Sequence, residues 1–322
     1  MKAVTVFAFG GSKQLRLEEL PALVPGPGEV VVSMKAAGVN PVDTYIRNGT
    51  YSLKPQLPYT PGIDGAGLVS TIGANVSNLA PGQRVYVSRP KTGTYAEECL
   101  CAAENVHVLP TNVSFEQGAT LGIPYLTAYR ALFQLAQARP GETVLIHGAS
   151  GGVGIAAVQF AKAHGLQVLG TAGTPKGRSL AFRSGAHYVL DHSSGEMTEQ
   201  IAALTCGLGP NLILEMLANK NLAKDLAIIA KRGKIVVVGN RGSTEVNLRD
   251  AMSKGATIFA MVLFNATTDE LNEGHAAVRA GLELETLKPM VGKTFQLQEA
   301  HLAHDFVMNP TDGTAGKVVL LP

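Results

Sequence analysis

Apolar residues recur along this chain in two rhythms, and the change between them divides it. Up to about residue 120 they come in short runs, at 4–9, 29–36, 67–72, 84–88 and 106–109, with Pro/Gly punctuation at Pro25, Gly26, Pro27 and Gly28, at Pro61-Gly62 and at Pro81-Gly82. Many short strands with turns between them predict a small barrel or partly opened sheet. Near Phe115 the rhythm changes: Ser114 followed by Gln117 has the form of a helix N-terminal box, and 118–137 is Ala/Leu-rich with a helical period. From 141 onward strand-like runs (143–147, 167–171, 187–190, 211–215, 234–238) alternate with helical ones (153–164, 176–184, 196–205, 221–232). That alternation predicts an α/β fold, a doubly wound parallel sheet with right-handed crossovers. A strand over 256–263, helices over 268–284 and 298–308, and strand pieces at Phe295 and 316–321 complete the pattern. The closing piece is expected to return to the first domain. There is no internal repeat and no low-complexity linker.

The second rhythm is centred on residues 141–173. An apolar β-branched run at 143–147 leads into Gly148, Gly151, Gly152 and Gly154; then Val153, Ala157, Phe160 and Ala161 mark one face of a helix that Gly165 ends. Strand, glycine turn, helix and strand in about thirty residues predict the βαβ unit that binds dinucleotides. A turn without side chains lets the backbone approach a pyrophosphate, and the N–H groups at the helix start favour an anion. The spacing G-x-x-G-G-x-G is a variant of the usual fingerprint.

An NAD site of this kind carries Asp or Glu about twenty residues past the glycines, to hold the ribose 2′-hydroxyl. Here that position falls in Thr171–Thr174, and no acidic residue occurs from Ala149 to Leu190. Lys162, Lys176, Arg178 and Arg183 lie in the same window. Lys176 or Arg178 pairs naturally with a 2′-phosphate, and Gly173 leaves room for it. The expected cofactor is NADPH. His192, after the third strand of this domain, stands at the carboxyl edge where such sheets bind ligands.

Composition narrows the function classes. At 322 residues, with 46% hydrophobic and 16% charged residues, the chain can bury two cores. A formal charge of +2 without a basic cluster gives no electrostatic case for a dedicated nucleic-acid binder. Apolar runs such as 256–263 are too short to span a bilayer, residues 1–9 read as a strand and not a leader, and three cysteines fit a reducing compartment. A cytoplasmic protein without membrane partners is expected.

Candidate chemistry outside the glycine turn is sparse. Cys99 and Cys101 would share one face of a strand, but no second pair follows, Cys206 stands alone, and neither HExxH nor GxSxG occurs. No metal site is expected. Tyr45, Tyr51 and Tyr59 cluster beside Asn40; phenolic donors on aromatic walls suit a flat, conjugated carbonyl substrate, and equally a loop packed on its own domain.

The segments GVNPVDTYIRNGTY (38–51), LPYTPGIDGAG (57–67), GIPYLTAYRAL (122–132), HGASGGVG (147–154), LGTAGT (169–174), EMLANKNLAKDL (215–226), VVGNRG (237–242) and TAGKVVLL (314–321) together resemble a zinc-free branch of the medium-chain dehydrogenase/reductase superfamily, the ζ-crystallin-type NADPH:quinone oxidoreductases. Zinc-dependent relatives have Cys where Asn40 falls and Gly-His-Glu where this chain reads Gly62-Ile63-Asp64, so the resemblance implies no catalytic metal. It implies a discontinuous GroES-like catalytic domain (1–123 and 265–322) around a Rossmann NADPH-binding domain (124–264). It places cofactor contacts at Tyr45, Thr127, Ser150, Gly151, Gly152, Val153, Gly173, Lys176, His192, Asn221, Val238, Gly239, Asn240, Arg241, Met261, Val262 and Leu263. Some relatives have a lysine where this chain has Gly177, which leaves Lys176 and Arg178 as alternatives for the phosphate.

The implied activity is reduction of a quinone stacked over the nicotinamide between the domains, oriented by Asn40, Tyr45, Tyr51 and Tyr59, with one-electron conversion of ortho-quinones to semiquinones. Two alternatives stand beside it: reduction of an activated C=C bond in an enone or alkenal, and a crystallin-like structural or RNA-associating role. The run 256–263, apolar on both faces and late in the sheet, leaves an edge whose pairing with a symmetry mate would give a homodimer; the resemblance also allows a homotetramer.

Overall fold

The computed structural model describes residues 1–311, 313 and 315–322; Asp312 and Thr314, the latter opening the TAGKVVLL motif, lie outside the described residues. The chain divides into two compact units: Met1–Ile123 with Pro289–Asp312 and Gly316–Pro322, and Pro124–Lys288 with Gly313–Ala315.

The first unit is built on short strands. β1 (Lys2–Val6) and β2 (Leu15–Glu19) form an antiparallel ribbon. β3 (Glu29–Val39) is the long central strand, followed by α1 (Pro41–Arg47), β4 (Asp64–Ile72), β5 (Arg84–Ser88), β6 (Glu98–Ala102), β7 (Val106–Val108) and α2 (Phe115–Gly118). β3 pairs antiparallel with β4 and β6, and β4 continues through β5 to β7. One core lies inside this sheet, where Val30, Val32 and Met34 meet Val69, Val85, Val87, Cys99 and Cys101. Alternation along β6 points both cysteines inward, as their spacing predicts.

The second unit begins within α3 (Gly122–Tyr129), which runs into a π-helical turn at Arg130–Leu135. Its six parallel strands are β8 (Thr143–Ile146), β9 (Gln167–Thr171), β10 (Tyr188–Leu190), β11 (Leu212–Glu215), β12 (Lys234–Val237) and β13 (Thr257–Ala260). Between them run α4 (Gly152–Ala163), α5 (Pro175–Ser184), α6 (Met197–Leu204), α7 (Ala218–Ile228) and α8 (Leu248–Lys254), and α9 (Thr268–Glu283) follows. The order β10-β9-β8-β11-β12-β13 is doubly wound, and it reverses between β8 and β11. The expected α/β class and parallel sheet are what the structure has.

The chain then returns to the first unit as β14 (Val291–Gln296), α10 (Ala300–Met308) and β15 (Lys317–Leu321). β15 inserts between β14 and β3, burying Val319 and Leu320, so the closing strand is central and not peripheral.

Four local readings are corrected. The single helix expected over 118–137 is three pieces, since Gly118 ends α2 and the last turns widen into a π-helix. α1 and α8 form where no helix is expected: Pro41 occupies the first helical turn and the Asp43 carboxylate accepts from the Asn40 N–H, the reciprocal half of a capping box. β2 and β6 are additional strands. The boundary expected at 265 lies at 289, because α9 packs within the second unit: Tyr129 donates to Glu273 (2.9 Å), Arg130 pairs with Glu270 (2.5 Å) and Gly274 lies against Leu126. Among the described residues no helix is long and apolar enough to cross a membrane.

Candidate functional site

In the second unit, candidate binding residues collect at the carboxyl edge of the parallel sheet, where ligands of such sheets bind. β8 delivers His147 and then Gly148, whose φ of +57° lies in the left-handed region that glycine adopts without strain. The Ala149 N–H donates to the Thr171 carbonyl (2.8 Å), holding the turn against the end of β9. α4 starts from Gly151, a residue with no side chain to cap the first N–H groups itself. A Cβ on Gly154 would strike the Gly148 carbonyl, which is why the helix can approach the turn so closely. Ser150, Gly151, Gly152 and Val153 therefore form one cradle, and Ser150 lies against Gly177 in the first turn of α5.

Beside the cradle, Gly173 faces the His192 ring: a Cβ there would come within 2.6 Å of Nε2. Thr174 caps α5 by accepting from the Gly177 N–H (3.1 Å). Arg178 is engaged with Asp191 (2.6 Å), the first acid beyond the acid-free window, while Lys176 is exposed on the first turn. Further along the same edge, the Asn240 Oδ1 accepts from the Asn219 N–H (3.0 Å) and the Asn219 Oδ1 from the Arg241 N–H (3.1 Å), which fastens the loop after β12 to the start of α7. A Cβ on Gly239 would strike the Met216 carbonyl. The Met261 N–H donates to the Val237 carbonyl (3.1 Å); Leu263 is buried and Val262 exposed. Thr127 is buried in α3.

Under that edge lies a cluster sequence reasoning missed. His147 at the end of β8, Glu215 at the end of β11 and Asp225 on α7 are all buried, with one side-chain polar atom of each within 4.8 Å of the others. His147 Nε2 stands 2.8 Å from Asp225 Oδ1 and 3.5 Å from Glu215 Oε2. Glu215 Oε1 accepts from the Leu217 N–H and from Asn221 Nδ2 (3.2 Å), whereas Glu215 Oε2 and Asp225 Oδ2 have no hydrogen-bond partner. Burial pushes the Glu215 carboxyl up to about 7, opposed by His147 and reinforced by Asp225. The two acids hold the His147 pKa above its ordinary value against the opposing effect of burial.

The first unit places the tyrosine group around α1. Tyr45 lies on the helix, and its carbonyl accepts from the N–H groups of Thr50 (3.1 Å) and Tyr51 (3.2 Å), so Tyr45 and Tyr51 share a turn. Tyr59 enters by a different route, its backbone bridging to Val6. Its buried hydroxyl has no hydrogen-bond partner, and burial and Asp43 raise its pKa. Asn40 is not displayed with them. It is buried, its Nδ2 donates to Asp64 Oδ2 (2.9 Å) and its Oδ1 accepts from Lys317 Nζ. Lys317 also pairs with Asp64 (3.2 Å), and Asp64 Oδ1 accepts from the Ile123 N–H (2.8 Å). A second buried line runs from Arg47 through His304 (3.5 Å) and Tyr95 (3.1 Å) to Asp43 (3.1 Å). Burial and Arg47 push His304 down to about 3, so the ring is neutral and links donor to acceptor; burial pushes Asp43 up to about 7. A basic residue in an apolar closing strand is the one sequence signal that points to the Lys317 cluster.

Known proteins with these features can now be set beside the chain. Residues 26–130 match the alcohol dehydrogenase GroES-like domain, and residues 152–278 match the zinc-binding dehydrogenase domain. A quinone oxidoreductase of Homo sapiens is 45% identical over 322 residues, covering 100% of this chain and 98% of the relative. The Escherichia coli quinone oxidoreductase complexed with NADPH superposes with a TM-score of 0.90 at 29% identity, covering 100% of both chains. The CurK enoyl reductase superposes with a TM-score of 0.89 at 25% identity, over 99% of this chain and 98% of the other.

Proposed function

This chain belongs to the quinone oxidoreductase family of the medium-chain dehydrogenase/reductase superfamily, and on that premise we propose how its residues carry out NADPH-dependent quinone reduction. It is an oxidoreductase whose cofactor is NADPH and whose substrate is a small molecule. Full-length identity to quinone oxidoreductases carries this reading, and the E. coli relative's complex with NADPH supports the cofactor.

The residues at the sheet edge fit a phosphorylated dinucleotide. The glycine N-cap of α4 and the glycine-rich turn before it suit the pyrophosphate. Gly173, Ser150 and His192 border the position where a 2′-phosphate belongs. Of the two alternative bases, Arg178 is already neutralised by Asp191, so Lys176 is assigned to the phosphate. Thr127, Asn221, Val238–Arg241 and Met261–Leu263 complete the wall. Bound NADPH supplies the reducing equivalents; the chain supplies position and hydrogen-bond donors aimed at the substrate oxygens. Tyr45, Tyr51 and Tyr59 take that role. Asn40, its amide spent inside the fold, holds α1 and so aims Tyr45.

The reaction is assigned as zinc-independent. Asn40, Ile63 and Asp64 stand where zinc-dependent relatives have ligands, and a buried ammonium, Lys317, already neutralises Asp64 between them. A divalent cation added there would face that ammonium at close range. One-electron reduction of ortho-quinones is the assigned mode. A second reading, reduction of a conjugated C=C bond, is favoured by the likeness to an enoyl reductase.

NADPH consumption with 9,10-phenanthrenequinone, with 1,2-naphthoquinone and with an α,β-unsaturated ketone, each followed by product analysis, tests these readings. Quinone turnover no faster than background overturns the assignment, and a saturated ketone as main product favours the second reading. We also assign homodimer formation to β13, which among the described residues pairs with β12 alone and leaves Ile258 exposed, with Val262 exposed just beyond it; sedimentation as a monomer removes that assignment.

A further inference from the structure

The buried acid–histidine cluster stands at the switch point of the parallel sheet, between the two strands where the order reverses. It touches four separate segments of the cradle assigned above. Glu215 Oε1 holds the Leu217 N–H and the Asn221 amide, and the Glu215 carbonyl accepts from the N–H groups of Val238 (2.8 Å) and Gly239 (3.2 Å). His147 leads directly into the glycine turn, and its Nδ1 lies 3.4 Å from Thr171 Oγ1, which accepts from the Gly148 N–H (3.2 Å). Thr171 itself ends β9, two residues before Gly173. Asp225 brings in α7, whose first turn is fastened to Asn240 and Arg241.

We propose that His147, Glu215 and Asp225 act as one proton-holding positioning hub, in which a single proton shared between the two carboxyls keeps these four cofactor-binding segments in register. The two oxygens without partners carry the argument. Glu215 Oε2 and Asp225 Oδ2 are both acceptors when ionised, both are sealed from water, and neither has a donor. Two unpaired buried carboxylate oxygens are costly, and one proton between them satisfies both. With the His147 Nε2–H donating to Asp225 and Nδ1 turned to Thr171, every polar atom of the hub then has a partner. Loss of that proton puts a second negative charge in a dry interior and drives the Glu215 and Asp225 side chains apart. Because Glu215 also holds Leu217 and Asn221, the displacement reaches the cofactor wall. The groups facing Glu215 are His147 from β8 and Asp225 from α7; β9 contributes the hydroxyl of Thr171, and the loop after β12 contributes backbone N–H groups.

This inference rests on the assignment of that sheet edge to NADPH, and the experiment separates the two. NADPH affinity and thermal midpoint are measured between pH 6 and 8.5 for the wild type, E215Q, D225N and E215A, with metal content determined on each preparation. The carboxamide of E215Q reproduces the protonated carboxyl: its oxygen serves Leu217 and Asn221 and its amide donates to Asp225. The carboxamide of D225N does the same from the other side. Wild-type affinity should fall about fivefold to tenfold more than that of E215Q or D225N as pH rises through 7, a window set by the carboxyl raised to about 7. E215A should bind weakly at every pH. Parallel slopes for wild type and E215Q, or E215Q as weak as E215A, overturn the proposal. So does a stoichiometric divalent metal in the wild type that E215Q loses. If the wild type binds no NADPH at any pH, the assignment of the sheet edge fails instead. The hub is then judged on thermal midpoints alone, where the wild type should lose stability against E215Q above pH 7.

Discussion

Each unit buries a compact charged cluster, Lys317 with Asn40 and Asp64 in the first and His147 with Glu215 and Asp225 in the second, and the two are balanced in opposite ways. In the first unit, the side chains of Lys317, Asn40 and Asp64 bond to one another and to the Ile123 N–H, and none of their buried polar atoms is left without a partner. In the second, His147, Glu215 and Asp225 leave two carboxylate oxygens without a donor. The saturated cluster fixes structure, since removing a member strands a charge. The unsaturated one responds to protons, since only its protonated form is complete. A protein can thus place rigidity beside the residues proposed to meet its substrate and responsiveness under the cradle proposed for its cofactor.

The largest effect should come from breaking the saturated cluster. Lys317→Met leaves Asp64 buried without its cation and should cost about 3–5 kcal/mol in urea unfolding. Asp64→Asn in the same background should recover part of that loss, and no recovery would show that the pair does not act as a unit. Next, Gly154→Ala drives a Cβ into the Gly148 carbonyl. It should cost about 1–3 kcal/mol and abolish tight NADPH binding, read by titration. Asp43, beside the saturated cluster, offers a proton-linked contrast within the first unit. Its carboxyl is pushed by burial from an ordinary 3.8 up to about 7. A raised carboxyl costs nothing below its unfolded value, and its penalty grows as pH rises to the folded value. Asp43→Asn should therefore gain about 2–3 kcal/mol over the wild type between pH 5 and pH 8. Lys176→Ala should weaken NADPH about tenfold, or about 1.4 kcal/mol, and leave NADH unchanged. Arg178→Ala should have the smallest effect; equal losses in the two variants would overturn the assignment of the phosphate base.

Legibility in sequence followed the range of the interactions. β8, α4 and β9 could be placed because their period and glycines are local, and the acid-free window could be read because it is an absence within one segment. α1 was hidden: seven residues carry too little periodicity, and Pro41 reads as a breaker although it sits where a helix accepts it. The long helix over 118–137 failed for the opposite reason, since composition favoured it and packing broke it. Neither cluster was visible. Asn40 and Lys317 are 277 positions apart, and His147 and Asp225 78 apart, so apart from a lysine in an apolar closing strand nothing in their local pattern distinguishes them from solvated residues. Asn40 was expected beside the tyrosines, and its buried amide assigns it to the scaffold instead.

The position of β15 has a consequence for synthesis. Domains emerging from a ribosome ordinarily fold in the order in which they are made. Here the strand that joins β14 to β3, and the ammonium that neutralises Asp64, are translated only after the whole parallel sheet has appeared. The unit begun first is finished last. Until residues 317–321 arrive, Ala37–Val39 of β3 lack the partner that β15 supplies and Asp64 waits without its cation, so the nascent chain carries a complete dinucleotide fold and a half-built first unit.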